Sequence, residues 1–236
     1  ARLGRRCSII RPVGQYRSDW LVVDSAHSAR GSRGASRIAI LGFDPALTAS
    51  ASKNSAYVNW RTHESFVNDV LEIARCHRTV EFIMRFKSPA WLENPYFEHI
   101  LSSITKSRNV RVDTDYSAPR SAYELCSSCD GIIARYTSLG DESLSRGIPV
   151  LWHDFGPGFS GLTASLLPNY ARSLFALTPD ELYRKASMLI SDPSSYWHRY
   201  CADPADQLYG NLSDGNVADR IVSTAQDIVA ESARLS

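Results

Sequence analysis

From Arg37 onward the sequence alternates short β-rich runs with stretches that repeat apolar residues at helical spacing, and this alternation constrains the fold more than any other feature. The runs 37–43 (RIAILGF), 80–86 (VEFIMRF), 131–135 (GIIAR) and 149–152 (PVLW) are apolar at successive positions rather than at alternate ones. Strands of that kind need cover on both faces, which a parallel sheet between two helical layers provides. Two further runs, 110–113 and 173–177, bring the expected sheet to about six strands. Between the runs, 64–76 carries Phe66, Val67, Val70, Leu71 and Ala74 on one helical face. Helices are also expected over 94–105 behind the cap Asn94, over 119–128, 138–146 and 161–167, and over 179–190, where Thr178 and Glu181 have capping-box spacing. A turn or two follows at 195–201. A long amphipathic helix, 217–234, closes the chain with Ile221, Ala225, Ile228 and Val229 on one side. The predicted class is α/β: a Rossmann-like parallel sheet with helices on both faces, binding ligands beyond the C-terminal strand ends.

Residues 1–36 differ in character. They are basic and rich in Arg, Ser and Gly, with one strand-like piece at 20–23 and a linker-like stretch at 25–36 (SAHSARGSRGAS). The chain divides into an N-terminal crossover segment and linker, 1–36, and one domain, 37–236. The 26 basic and 25 acidic side chains leave a net charge of +1, so no electrostatic case exists for nucleic acid as a partner. No apolar run approaches the ~18 residues of a transmembrane helix, and no signal-peptide pattern follows Ala1. The five cysteines are too few and sparse for a disulfide framework. A cytoplasmic location is expected, at most peripheral to the inner membrane. Cys126 and Cys129 form a C-x-x-C, which reads either as a redox or half-zinc element or as two semi-buried helix cysteines. A redox pair opens a helix, whereas this one closes one, which favours the second. Asp113 and Asp115 lack metal-site spacing with any other acidic cluster. No metal and no cofactor are expected.

The segment 127–154 (SSCDGIIARYTSLGDESLSRGIPVLWHD) concentrates the chemistry. A strand ends at Arg135, a polar turn follows at 136–138, and a helix begins at Ser138. Backbone N–H groups, hydroxyls and the positive end of the helix dipole then meet at the sheet's C-terminal edge, where phosphate is stabilised. Glu142, one turn further on, has the reach to accept hydrogen bonds from a ribose diol. The same residues also fit a plain helix cap, Ser138 with Asp141 and Glu142.

The order D-g-i-i-a-r-x-T-S-l-g-d-E-s-l-s-x-G-i-P-V-L, with Asp130, Ser138, Glu142, Gly147 and Pro149 in place, resembles the C-terminal donor-binding half of GT-B glycosyltransferases of the type that build bacterial capsule and lipopolysaccharide. The resemblance covers roughly residues 37–230, and 11–20 (RPVGQYRSDW) is similar to the crossover that enters such a domain. It implies that Thr137 and Ser138 face the donor phosphates and that Glu142 holds the nucleotide ribose. The run 81–88 (EFIMRFKS) is similar to a strand that ends in a basic element, which points Arg85 and Lys87 at the donor site. The run 208–221 is similar to the close of such domains, although Asp214–Gly215 also reads as an ordinary turn and helix start. His153, at the same sheet edge, reads either as a group that orients a leaving phosphate or as part of a surface His-Asp pair. The glycine-rich stretch 155–161 is expected as a mobile loop lining the cleft. Trp152, Phe155 and Phe159 suit base stacking or core packing equally. The implied activity is transfer of a sugar from a nucleotide-sugar donor to a polysaccharide or lipid-linked acceptor. The acceptor and the general base belong to an N-terminal acceptor domain not in this chain, so no catalytic residue is assigned. The alternatives are a polyol-phosphate transferase or a nucleotide-sugar epimerase on the same fold, or a non-catalytic nucleotide-binding module.

Overall fold

The computed structural model describes residues 16–21, 36–43, 60–118 and 120–234. Six strands form the main sheet: β1 (Arg37–Gly42), β2 (Glu81–Phe86), β3 (Val110–Val112), β4 (Gly131–Ala134), β5 (Val150–His153) and β8 (Phe175–Ala176). Their order is β3-β2-β1-β4-β5-β8 and every pairing is parallel. β1 is hydrogen-bonded on both sides: Ile40 lies opposite Met84 of β2 and opposite Ile133 of β4. Nearly every residue of β1, β2, β4 and β5 is buried, as successive apolar positions require.

Helices connect the strands. α1 (Trp60–Cys76) packs beside α2 (Glu98–Lys106) and α6 (Pro179–Ser191). α3 (Ser121–Ser128) packs on β1, and α4 (Ser138–Ser145) beside α8 (Ala202–Tyr209). Helices thus cover both faces of the sheet. Gly147 ends α4 at φ 79°, a left-handed position that glycine adopts without a Cβ clash. Thr178 caps α6 by accepting from the Glu181 amide at 3.2 Å, while the Glu181 carboxylate accepts from the Leu177 amide.

Several elements differ from the sequence reading. Trp20, expected to open a strand-like piece at 20–23, instead ends a 3-10 turn, Tyr16–Trp20; Val22 and Val23, with the linker 25–35 and the loop 46–59, lie outside the described residues. The expected helix 161–167 is only a turn, Ala164–Leu166. In 173–177, a short helix α5 (Ala171–Leu174) precedes a strand of two residues. The buried Lys185 ammonium fixes that corner by donating to the carbonyls of Arg172, Ser173 and Phe175. The expected loop 155–161 is a small antiparallel hairpin, β6 (Phe155–Gly156) with β7 (Phe159–Ser160). Beyond α7 (Pro193–Tyr196), a π-helical stretch (Trp197–Cys201) runs into α8. α9 (Val217–Arg234) leaves Ile221, Val222, Ile228 and Val229 exposed. Cys126 and Cys129 are buried, and burial raises both thiols, Cys129 to about 12, opposite to what a redox pair needs. No helix among the described residues is long and apolar enough to cross a membrane.

Where α1 meets the sheet, His63 is fully buried in a cage of Phe43, Phe86, Trp91 and Phe97, with ring centroids 4.7–5.8 Å away. Neither imidazole nitrogen has a hydrogen-bond partner. Burial, aided by the charge of Arg135, lowers its pKa from 6.5 to about 3. The unfolded chain therefore takes up this proton first, and stability held above pH 6.5 is lost as the pH falls toward 3. The loss due to His63 is about 2 kcal/mol by pH 5. We predict that His63→Phe is more stable at pH 7 by about 1 kcal/mol or more, because a buried unpaired polar group is removed. We also predict that its stability falls about 2 kcal/mol less than wild type between pH 7 and pH 5. Urea unfolding at both pH values measures this; equal pH losses in the two proteins would contradict it.

Candidate functional site

The strand order reverses between β1 and β4, and helices leave the sheet on opposite faces there. The gap beyond these C-terminal ends is a cleft of about 450 Å³. β1 and its exit contribute Leu41, Gly42 and Phe43; β2 and its exit contribute Arg85, Phe86 and Lys87. The turn into α4 contributes Tyr136, Thr137, Ser138 and Leu139, α3 contributes Ala122 and Tyr123, and the N-terminal turn contributes Arg17. Arg85, Lys87, Thr137 and Ser138 therefore line one cleft, because each lies at or just beyond a strand end on the same sheet edge.

The turn into α4 is tightly specified. Tyr136 has φ 48°, a left-handed conformation that costs a non-glycine residue about 1–3 kcal/mol. Its ring is 57% exposed in the cleft wall. Thr137 caps the helix by accepting from the Leu139 amide at 3.3 Å. The cap thus falls to Thr137, and the Ser138 hydroxyl stands in the first turn of α4 at the cleft. Gly140 lets the helix approach the sheet: a Cβ there would lie 3.1 Å from the Trp152 ring. Trp152 and Phe155 are buried packing groups, not cleft walls.

Glu142 is 7% exposed and lies behind the cleft rather than in its lining. Burial raises its pKa, while the Tyr123 hydroxyl and Arg17 favour the charged form. Its Oε2 is buried without a hydrogen-bond partner. Tyr123, which does line the cleft, is its neighbour toward the opening, and burial and Glu142 hold the phenol well above its usual range.

Arg85 reaches the cleft but its guanidinium is engaged. Nη1 donates to Asp113 Oδ2 and to the Asp115 carbonyl, both at 2.6 Å, and Nη2 donates to Ser121 Oγ at 2.8 Å. Its flat face covers Tyr116 at 4.5 Å. Asp113 and Asp115, unassigned in the sequence, thus bind this arginine and the 113–121 turn. Asp214 likewise acts within its turn, pairing with Arg220 at 2.6 Å.

His153 is not brought to the cleft. It is buried against Phe66 on the α1 side, stacked on Phe155 at 4.0 Å. Arg135 Nη1 contacts its Nδ1, and its Nε2 is 2.8 Å from Asp69 Oδ2. Arginine only donates, so Nδ1 accepts and the Nε2–H donates to Asp69 Oδ2. Burial lowers the His153 pKa, consistent with that neutral tautomer. Arg135 also donates to the Phe155 carbonyl at 2.7 Å and fixes the β6–β7 hairpin. Sequence reasoning did not single out Arg17, Tyr123 or Tyr136. The β4–α4 turn was the one signal for Tyr136; nothing local marks the other two.

No protein-family model matches the chain, and no curated protein matches it. Solved structures do. A UDP-N-acetylglucosamine 2-epimerase is 14% identical with a TM-score of 0.60, covering 97% of this chain and 54% of the epimerase. The Neisseria meningitidis UDP-GlcNAc 2-epimerase, bound to UDP-GlcNAc, is 16% identical with a TM-score of 0.52, covering 82% and 45%. A Thermobaculum terrenum O-GlcNAc transferase is 11% identical with a TM-score of 0.50, covering 84% and 36%. The chain spans about half the length of the epimerases it matches. At these identities the likeness is one of fold: the chain has the Rossmann-like architecture expected of a GT-B half.

The engagement of Arg85 has a measurable consequence. Removing Asp113 would leave a buried guanidinium without its carboxylate. Asp113→Ala is predicted to cost about 3 kcal/mol in urea unfolding, against about 1 kcal/mol for Ser121→Ala. A cost below about 0.5 kcal/mol, the level of an ordinary surface change, would show that Arg85 does not depend on this pair.

Proposed function

We propose that this chain is the donor half of a glycosyltransferase, which holds a nucleotide-activated sugar in the β1/β4 cleft. A second, N-terminal domain presents a surface-polysaccharide or lipid-linked acceptor, on the cytoplasmic side of the inner membrane. The observation that carries the proposal is the convergence of Lys87, Ser138 and the N-terminal turn of α4 on one cleft at the point where the strand order reverses. In this scheme the donor diphosphate lies against the start of α4, where the helix dipole, the Ser138 hydroxyl and the Lys87 ammonium offset its charge. Thr137 holds that helix start in place. Arg85 shapes the cleft wall, its charge largely offset by its pair with Asp113. His153, away from the cleft, supports the hairpin and takes no part in binding.

Glu142 is the proposed ribose ligand. A diol that reaches past Tyr123 meets a carboxylate with one oxygen unpaired. Binding would satisfy that oxygen and offset the cost of burying it. No general base is assigned in this chain; it would come from the acceptor domain.

A nucleotide-sugar epimerase is the second proposal, favoured by the shared fold with the UDP-GlcNAc 2-epimerases. Both would bind the same class of donor at the same cleft, and they separate on product. With labelled UDP-GlcNAc, a transferase releases UDP and passes label to an acceptor, whereas an epimerase returns an isomeric nucleotide sugar. A polyol-phosphate transferase would instead consume a CDP-linked donor, and a binding module would turn over neither.

Titration calorimetry with the nucleoside diphosphate that most raises the melting temperature tests the site. Glu142→Gln should weaken binding by about 1.5–3 kcal/mol, or one to two decades in Kd. Its folding stability should change by no more than about 1 kcal/mol, because the amide keeps the size and an acceptor oxygen for the Tyr123 hydroxyl. Unchanged affinity with lowered stability would instead make Glu142 a structural carboxylate.

A further inference from the structure

The turn Tyr16–Trp20 precedes the domain by a long connection, yet it is anchored to it at three points. Leu21 is fully buried in the core. The Trp20 ring packs edge-on against Tyr123 at 5.1 Å, and the Arg120 guanidinium covers Trp20 at 5.3 Å. Asp19 caps α9: its Oδ1 accepts from the Val217 amide at 3.2 Å and its Oδ2 from the Ala218 amide at 2.9 Å. A carboxylate at a helix start satisfies two otherwise unpaired N–H groups and complements the dipole.

These anchors place Arg17 in the wall of the cleft that also contains Lys87 and Ser138. We infer that Arg17 is a substrate-binding residue that contacts the diphosphate of the ligand, and that the turn 16–21 is a docked strap that completes the site. Arg85, the other arginine of the lining, already has both Nη atoms committed to Asp113, Asp115 and Ser121. Arg17 is exposed and stands near Tyr123 and Glu142, whose charge it favours. Arg17 also hydrogen-bonds the Tyr123 hydroxyl, and the planar fork of five N–H donors in a guanidinium matches phosphate, so a side chain held at the rim in this way can still contact a diphosphate. Asp19 does not line the cleft; it is a positioning residue that acts through the strap.

The inference rests on the cleft being a nucleotide-diphosphate site, and inorganic pyrophosphate probes the charge contact without the base or sugar. The experiment is calorimetric titration of the 236-residue chain with pyrophosphate and with UDP, for wild type, Arg17→Ala, Arg17→Lys, Asp19→Asn and Ser138→Ala, with thermal melts as folding controls. Arg17→Ala should weaken pyrophosphate at least tenfold, and Arg17→Lys should recover part of that. Asp19→Asn should weaken it several-fold, although Asp19 is remote from the ligand. If Ser138→Ala weakens pyrophosphate but Arg17→Ala does not, the cleft stands as the anion site and the role of Arg17 is overturned. If wild type binds neither pyrophosphate nor UDP, nor any other nucleoside diphosphate, the cleft proposal and the strap fall together.

Discussion

β1 carries hydrogen bonds to β2 on one edge and to β4 on the other, and the rest of the molecule is arranged around that double pairing. Because the chain builds outward to β3 on one side and to β8 on the other, the connecting helices must leave on opposite faces. Neither set can cover the sheet edge between β1 and β4, so a cleft opens there without any residue being selected to form it. Leu41–Phe43, Arg85–Lys87 and Tyr136–Leu139 meet in the cleft because each lies at or just beyond the C-terminal end of a strand on the same sheet edge. The left-handed Tyr136 and the close contact of Gly140 with Trp152 bring the start of α4 to its rim. Strain and tight packing thus fall on the turn that faces the opening.

Buried charge ties the interior cations to the scaffold. An isolated charge in the interior is costly, so each buried cation is matched to acceptors. Lys185 has three carbonyls at the end of α5, Arg85 has Asp113, and Arg135 is linked through neutral His153 to Asp69. These groups hold corners: α5 to β8, β2 to the 113–121 turn, and β4 and β5 to the β6–β7 hairpin. Lys87 and Arg17, by contrast, lie at the cleft.

The N-terminal turn links distant parts of this scheme. Asp19 joins it to α9, Trp20 joins it to α3 through Tyr123, and Tyr123 leads to Glu142 on α4. A short segment outside the β–α alternation therefore touches α9, α3 and α4, of which α3 and α4 contribute to the cleft lining.

Sequence alone determined the parallel sheet, the helices between its strands and the sheet edge at which the cleft opens. Successive apolar residues in 38–41, 82–84 and 132–134 admit no strand with a wet face, and Gly147 and Thr178 punctuate helices through local backbone chemistry. Those signals act within a few residues and survive without tertiary context. Lys87, Thr137 and Ser138 were legible as cleft residues for the same reason: position after a strand end is a local property. What the tertiary structure decided is which polar group meets which partner. Arg85 and Lys87 are two residues apart in one strand exit, yet only Arg85 faces Asp113 and Ser121 across the sheet edge. His153 follows the same strand rule as the cleft residues but turns toward Asp69, 84 positions away. Arg17 has no local pattern at all, and Asp19 finds its helix 198 positions downstream. Pairings over such separations depend on how layers stack and where side chains point, and a periodicity of 2 or 3.6 residues carries no record of either.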